Sequence, residues 1–261
     1  MTIVLTLLLL AQSKNVDEAI VAFGKAFAGP DEKKLEAIEK LRGIMHDKVY
    51  VELQKCLNAK ESPAVRAKAV EVLGEMDHPT VAKILSDAVK PNAESKEVLK
   101  AMSKAIAKVN WDIFHTALCE TILMNTQNPK FTGQKEMSDA AWDYLVLVEQ
   151  QAPIAAVDGL LKLFAKYEES RRAGYGTGDW YKKVEACVKA CIGVEKPSAK
   201  DYAAYWKGAK PQLTAKFTYS YWCPGNMQRW EKKGSDAKAG CPTHPDKKDQ
   251  SKEQLALTKN K

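Results

Sequence analysis

The feature that most constrains the fold is a two-helix pattern that recurs at a spacing of 32 residues in the first half of the chain. Its clearest copy is SPAVRAKAVEVLGEMDHPTVAKILSDAV, residues 62–89. A shift of 32 residues towards the N-terminus places His78 on His46, and a shift towards the C-terminus places Ala69 on Ala101. Apolar residues recur at helical spacing within the copy: Val65, Ala69, Val72, Leu73 and Met76, then Val81, Leu85 and Val89. Since one helix pair cannot bury its own apolar face, the pattern predicts stacked pairs.

Start and stop signals mark the two helices of this copy. Ser62 is a favoured N-cap residue, and Pro63 suits the first helical position that follows it. The triplet Asp77-His78-Pro79 is expected to end the first helix and start the second. His46 and His78 occupy equivalent turns of successive copies, which predicts a structural rather than a chemical role for both.

The first helix of this copy resembles the first helix of a bacterial HEAT-like repeat. The resemblance is carried by the pair Val65-Arg66, by the small residue Ala69 one turn later, and by Leu73-Gly74 near the end of the helix. It fades after Val109, where only the rhythm of helix pairs continues. The resemblance implies an all-α fold, a right-handed α-solenoid of HEAT-like helix pairs with an irregular C-terminal extension. Counting one extra helix over residues 16–28, we expect about eleven helices.

Three segments are predicted: residues 1–13 as a signal peptide, residues 14–212 as the solenoid, and residues 213–261 as an irregular, basic, Cys-containing tail. The apolar run over residues 2–11 has the length of a signal-peptide core and is shorter than the ~20 residues of a membrane-spanning helix. No Lys or Arg precedes it, so a buried first helix is the alternative. Cleavage would make the protein exported, either periplasmic or extracellular, and retention would make it cytoplasmic.

Charge is concentrated in the tail. From Lys216 onward there are ten basic and five acidic residues, which leaves 30 basic and 28 acidic residues in the rest of the chain. A nucleic-acid-binding face normally carries clustered basic residues along one side, and lysine-rich tails are more often solvated. No nucleic-acid partner is therefore expected.

Two aromatic or basic segments are candidates for binding a partner. Arg171, Arg172 and Tyr175 lie in or beside the glycine-rich connection EESRRAGYGTGD, residues 168–179. Tyr202 and Trp206 fall on one side of a short predicted helix that begins after Ser198. That helix is expected either to cap the open end of the core or to present an aromatic binding surface.

The six cysteines form two groups. Those in the helical part are predicted to be small core residues: Cys56, Cys119, Cys187 and Cys191. Cys223 and Cys241 lie outside the repeats and are 18 residues apart. We expect them to form a disulfide, which would stabilise a loop of this size by roughly 3 kcal/mol. Free thiols, and a metal site that adds His244, are the alternatives, although three ligands are fewer than a structural zinc site requires.

No catalytic motif is recognisable: a glycine-rich phosphate loop, a His-Glu-x-x-His zinc motif and a haem-attachment motif are all missing. Some HEAT-like proteins are enzymes, including DNA-repair glycosylases and bilin lyases, but none of their active residues can be carried onto this chain. The sequence therefore predicts a non-catalytic scaffold without a cofactor, which binds a protein or peptide on a solenoid surface. A metal-handling adaptor that uses Cys223, Cys241 and His244 is the second hypothesis, and an enzyme with a HEAT-like body is the third.

Overall fold

The computed structural model describes residues 16–127, 135–174, 178–216, 218–223, 228–233 and 257–259. Within these residues the chain forms eleven α-helices followed by three short β-strands. The helices are α1 (16–27), α2 (Asp31–Lys40), α3 (Asp47–Lys55), α4 (Pro63–Leu73), α5 (Pro79–Val89), α6 (Lys96–Ala105), α7 (Asp112–Gln127), α8 (Lys135–Gln151), α9 (Val157–Arg172), α10 (Gly178–Ile192) and α11 (Ala199–Leu213). The all-α, HEAT-like fold of helix pairs predicted from the sequence is confirmed.

The chain divides into two compact units, Met1–Val109 and Asn110–Lys261. In the first unit α4 packs between α2 and α6, and these three helices form one layer. Helices α3 and α5 pack against each other as the second layer, and α4 contacts both of them. Alternate helices therefore stack on each other, as expected when each pair buries its apolar faces against the next pair.

The second unit has the same two-layer plan. Helix α9 packs between α7 and α11 in one layer, while α8 and α10 pack together in the other. Its core combines aliphatic side chains with large rings. Among its described residues, six aromatic side chains are almost completely buried: Trp111, Phe114, Tyr144, Phe164, Tyr167 and Tyr202.

The predicted helix boundaries of the clearest repeat are present. The Ser62 hydroxyl accepts a hydrogen bond from the Val65 amide at 3.3 Å. Helices α3 and α5 begin after His46 and His78, whose Nδ1 atoms accept hydrogen bonds from the Lys48 and Thr80 amides at 3.1 and 3.2 Å. An imidazole thus performs the capping role that Ser or Asp more often performs, and the structural role predicted for both histidines is confirmed.

Two residues of the repeat motif have clear packing roles. A Cβ atom added at Gly74 would lie 2.6 Å from Ala105 Cβ, so only glycine permits the close approach of α4 and α6. The Arg66 guanidinium donates a hydrogen bond of 2.5 Å to Oδ1 of the buried Asn92. Asn92 in turn donates to the Ala88 carbonyl at 2.8 Å. Arg66 thereby ties the start of α4 to the turn that follows α5.

The C-terminal extension differs from the irregular tail that the sequence predicted. It contains a three-stranded antiparallel sheet in the order β2-β1-β3: β1 (Thr218–Cys223), β2 (Gln228–Lys233) and β3 (Leu257–Lys259). Strand β1 is rich in aromatic and β-branched residues, which favour strands. Its pairing with β3 joins Thr218 to Lys259. Because that partner lies about forty residues away in sequence, no local pattern could have indicated it.

Candidate interaction surfaces

The two predicted arginines lie at the end of α9 in the second unit. Arg171 stacks over the ring of Tyr181, with 4.9 Å between Cζ and the ring centroid. Arg172 forms an ion pair of 3.4 Å with Glu168, one turn earlier on the same helix. Both arginines are exposed. Tyr175, the third member of this predicted group, lies outside the described residues.

Tyr202 and Trp206 do not form an exposed aromatic surface, which corrects their selection as partner-binding residues. Tyr202 is completely buried, and its ring packs edge-on against Phe164 at 5.9 Å between centroids. Trp206 is 5% exposed and donates its indole N–H to Asp158 at 2.8 Å. The apolar side of α11 is therefore covered by α9. These contacts fit the alternative interpretation, in which α11 covers the end of the core.

The predicted disulfide and the alternative metal site fall largely outside the described residues. Cys223 is the last residue of β1 and pairs in register with Gln228, whereas Cys241 and His244 are not described. Both hypotheses therefore stay predictions. Within the described part of the chain, no group of three or more His, Cys, Asp or Glu residues is arranged to hold a metal ion.

The four helical cysteines are buried thiols, as predicted. Burial raises the pKa of Cys56, Cys119 and Cys187 to about 12, and that of Cys191 rises for the same reason. The thiolate is the nucleophilic form of cysteine, so these side chains are poor nucleophiles near neutral pH.

A buried polar chain runs through the second unit. His115 Nε2 lies 2.8 Å from Asn110 Oδ1, which can only accept, so Nε2 carries the proton. Nδ1 must then accept the hydrogen bond from the Tyr144 hydroxyl at 3.0 Å. The Cys119 thiol lies 3.4 Å from the same hydroxyl. Burial lowers the pKa of His115 to about 3, so this imidazole is neutral at physiological pH and belongs to the core.

A groove lies in the second layer of the first unit, between the C-terminal ends of α3 and α5. Its volume is about 320 Å³. Leu57, Ile84 and Ala88 form an apolar floor, and Gln54 and Asp87 lie on its polar rim. The same helix α3 also exposes 48% of Val51. An apolar depression with a polar rim is the arrangement that protein and peptide partners commonly occupy.

The first layer of the same unit offers a cleft of a different kind, with a volume of about 300 Å³ between α4 and α6. Charged side chains line it, and two of them, Arg42 and Glu75, already pair with each other. Arg42 also pairs at 2.6 Å with Glu39, which lies outside the lining. These ion pairs leave less of the cleft available to a partner than the α3–α5 groove does.

The second unit carries an aromatic surface that the sequence reading did not single out. Trp142 on α8 and Trp180 on α10 pack edge to face, with 5.2 Å between ring centroids. Both are only half-buried. The Lys183 ammonium lies 5.6 Å from the Trp142 ring centroid and pairs with Glu149. We call the two tryptophans with Lys183 the indole patch. The sequence contained both tryptophans, but only the packing of α8 against α10 brings them together.

In a comparison with known protein families, residues 23–111 match the family model described as HEAT repeats. This part of the chain consists of HEAT-like repeats. The comparisons with curated proteins and with solved structures gave no match.

The candidate surfaces differ in whether they lie within the residues that match the HEAT-repeat model. The α3–α5 groove lies inside the matched range, whereas the indole patch lies beyond it. HEAT repeats are commonly protein-interaction scaffolds and are typically non-enzymatic, so they suggest protein partners in general. Among the described residues, no helix is both long enough and apolar enough to span a membrane.

Proposed function

We propose that this HEAT-like protein is a non-catalytic scaffold that binds a protein or peptide partner through the groove between α3 and α5. The observation that carries the proposal is the composition of that groove. Its floor is formed by apolar side chains that already belong to the core, and its rim offers amide and charged groups. A partner side chain that enters the groove would bury its apolar surface against the floor and form hydrogen bonds at the rim.

The stacking of helix pairs supports the same function. Each helix of the second layer is held by the core beneath it, so the groove is formed before a partner arrives. The buried residues Val49, Leu53 and Leu57 fix α3, and Val81, Leu85 and Val89 fix α5. A preformed surface reduces the conformational entropy that binding must otherwise offset.

The test combines partner capture with a matched pair of variants. The groove variant is Lys55→Asp with Asp87→Arg, both exposed positions that line the groove. The control is Glu36→Arg with Lys100→Asp, exposed positions on the other layer of the same unit. Each double variant leaves the net charge unchanged. The tagged wild type is used to capture partners from native cells, and each captured protein is then purified and titrated by calorimetry.

We expect a partner that binds the wild type and the control equally and binds the groove variant at least about tenfold more weakly, equivalent to about 1.4 kcal/mol. Circular dichroism melts of the three proteins must agree, so that loss of binding is not loss of fold. A partner that binds the groove variant as well as it binds the wild type would refute the groove as the binding site.

A further inference from the structure

The indole patch has the composition of an interaction hot spot. Tryptophan is among the residues most enriched at the energetic centres of protein interfaces. Trp142 and Trp180 leave part of their side chains exposed, whereas Ala141 and Tyr144 beside Trp142 are buried. The edge-to-face contact between the two rings fixes both of them, so the surface is rigid before any partner binds.

The charges around the patch are mainly negative. The segments 138–149 and 178–183 carry four carboxylates and two ammonium groups. Asp139, Asp143 and Asp179 are exposed, and none of them forms an ion pair with another residue in the part of the chain that the structure describes. This local excess of two negative charges contrasts with the residues before Lys216 as a whole, which carry 30 basic and 28 acidic side chains.

The protein already contains one example of the chemistry that such a surface favours. The Lys183 ammonium lies against the ring of Trp142 and is paired with Glu149. A cation is attracted to the face of an indole and is further stabilised by a nearby carboxylate. Trp180 and the three unpaired aspartates repeat these two components, and no cation among the described residues lies over the Trp180 ring.

We infer that the indole patch binds an arginine side chain in a basic segment of a partner protein. The guanidinium is planar, stacks on aromatic rings, and can donate two hydrogen bonds to one carboxylate. Trp180 supplies the ring, and Asp139, Asp143 and Asp179 supply the charge. The inference rests on the proposed scaffold function, but it concerns a surface in the other unit and therefore fails or survives separately from the groove.

The probe is a capped tetra-arginine peptide, and the matched control is a capped tetra-citrulline peptide of the same shape without charge. Each is titrated into the full chain while intrinsic tryptophan fluorescence is recorded. We expect the arginine peptide to bind at least about tenfold more tightly than the citrulline peptide, since charge supplies most of the attraction. A capped tetra-lysine peptide should fall between the two, because an ammonium cannot stack as a plane.

Three variants separate the effect of charge from the effect of misfolding. Asp139→Asn with Asp143→Asn removes two exposed charges and should weaken the arginine peptide about tenfold. Glu94→Gln with Glu97→Gln removes two exposed charges in the first unit and should leave the affinity unchanged. Trp180→Leu retains apolar bulk and should also weaken binding, while its melting curve reports whether α10 still packs.

Several outcomes would overturn the inference. They are equal binding of the arginine and citrulline peptides, equal losses in both aspartate and glutamate double variants, or no saturable fluorescence change up to the solubility limit. Sedimentation tests the alternative that a second copy of this chain occupies the patch. A wild-type dimer that dissociates in the Trp180→Leu variant would mean that the patch contacts another copy of this chain instead. In each of these cases the groove experiment still decides the scaffold function on its own.

Discussion

The two units use the same packing plan and fill it with different side chains. In the first unit the core is mostly aliphatic, and Tyr50 and Phe23 are its two deeply buried aromatic residues among those described. In the second unit large rings join the aliphatic core residues, together with the polar chain of Asn110, His115, Tyr144 and Cys119. The difference shows that helix stacking tolerates very different interiors, provided that each layer stays closely packed.

This contrast also explains where the repeat signal ends. Aliphatic residues of similar size can replace one another at fixed positions, so successive repeats of the first unit keep a recognisable register. A large ring displaces its neighbours and changes which position must be small. The HEAT-repeat match therefore covers residues 23–111, although helix pairs continue beyond them.

The largest expected difference between the units is their response to acid. Because burial lowers the pKa of His115 from 6.5 to about 3, the folded second unit binds fewer protons than the unfolded chain between these values. Its stability is therefore full above pH 6.5 and falls as the pH drops towards 3. The slope approaches about 1.4 kcal/mol per pH unit, or about 3 kcal/mol by pH 4.

Hydrogen exchange resolved by peptide, measured from pH 7 to pH 4, assigns this loss to one unit or the other. His115→Gln should flatten the dependence between pH 6.5 and 4.5 in the second unit, whatever it does to stability at pH 7. In the first unit the Arg42 and Lys68 side chains lower the pKa of Glu39 to about 2. The stability that depends on these ion pairs is therefore lost only below about pH 4.5. Equal loss in both units from pH 6.5 would contradict the assignment.

The next prediction addresses the close packing of the first unit. Ala69 is fully buried on α4, so Ala69→Leu should overpack the core and destabilise the protein by about 1–3 kcal/mol. Urea unfolding of the variant measures the loss. Leu35 is partly exposed on α2 of the same unit, and Leu35→Met is the matched control, expected to cost less than about 1 kcal/mol. An unchanged midpoint for Ala69→Leu would refute the repeat alignment.

A smaller effect compares one glycine from each unit. Gly74→Ala would bring a new Cβ to 2.6 Å from Ala105 Cβ and 3.1 Å from its Cα, so a helix must move. We expect a loss of about 1–2 kcal/mol. Gly159→Ala would instead meet Cys119 Sγ and the Thr116 Cα at 3.1 Å, contacts that a shift of a few tenths of an ångström relieves. Alanine also gains about 1 kcal/mol in helix propensity over glycine.

The two effects at Gly159 act in opposite directions, so its substitution should be close to neutral. Thermal melts of the two alanine variants under identical conditions give the comparison. If Gly159→Ala destabilises the protein more than Gly74→Ala does, the packing of α7 against α9 is tighter than that of α4 against α6, and the comparison must be reversed.

The smallest predicted effect concerns the histidine caps of the first unit. His46→Ala removes the acceptor for the Lys48 amide and should cost about 1 kcal/mol, whereas His46→Asn should retain most of the stability, since asparagine is a good N-cap residue. Denaturant titration of the two variants at pH 8 measures the difference. Equal loss in both would show that the imidazole acts through packing rather than through capping.

Helix boundaries could be predicted from the sequence because their signals are local. Ser62 with Pro63, and His78 with Pro79, determine where α4 and α5 begin through bonds within two or three residues. The apolar spacing of the same segments predicted which residues are buried, including Ala69, for the same reason.

The partner-binding candidates were harder to predict because exposure depends on distant contacts. The sequence indicated Tyr202 and Trp206 as candidates for an exposed aromatic surface, but α9 covers both side chains. The sequence did not indicate Trp142 and Trp180 as binding candidates, and only the contact between α8 and α10 makes them a pair on the surface. A tryptophan has the same local preferences in either case, so no pattern around it reveals which side of its helix will be covered.

The sequence by itself determined that this chain folds as stacked helix pairs, since spacing and capping act within single helices and between sequence neighbours. Only the tertiary structure decided which faces stay open, which polar groups are buried together, and that β3 pairs with the strand that follows the last helix. The reason is physical: apolar burial has no direction of its own. What a side chain contacts is therefore fixed by the elements that happen to pack over it.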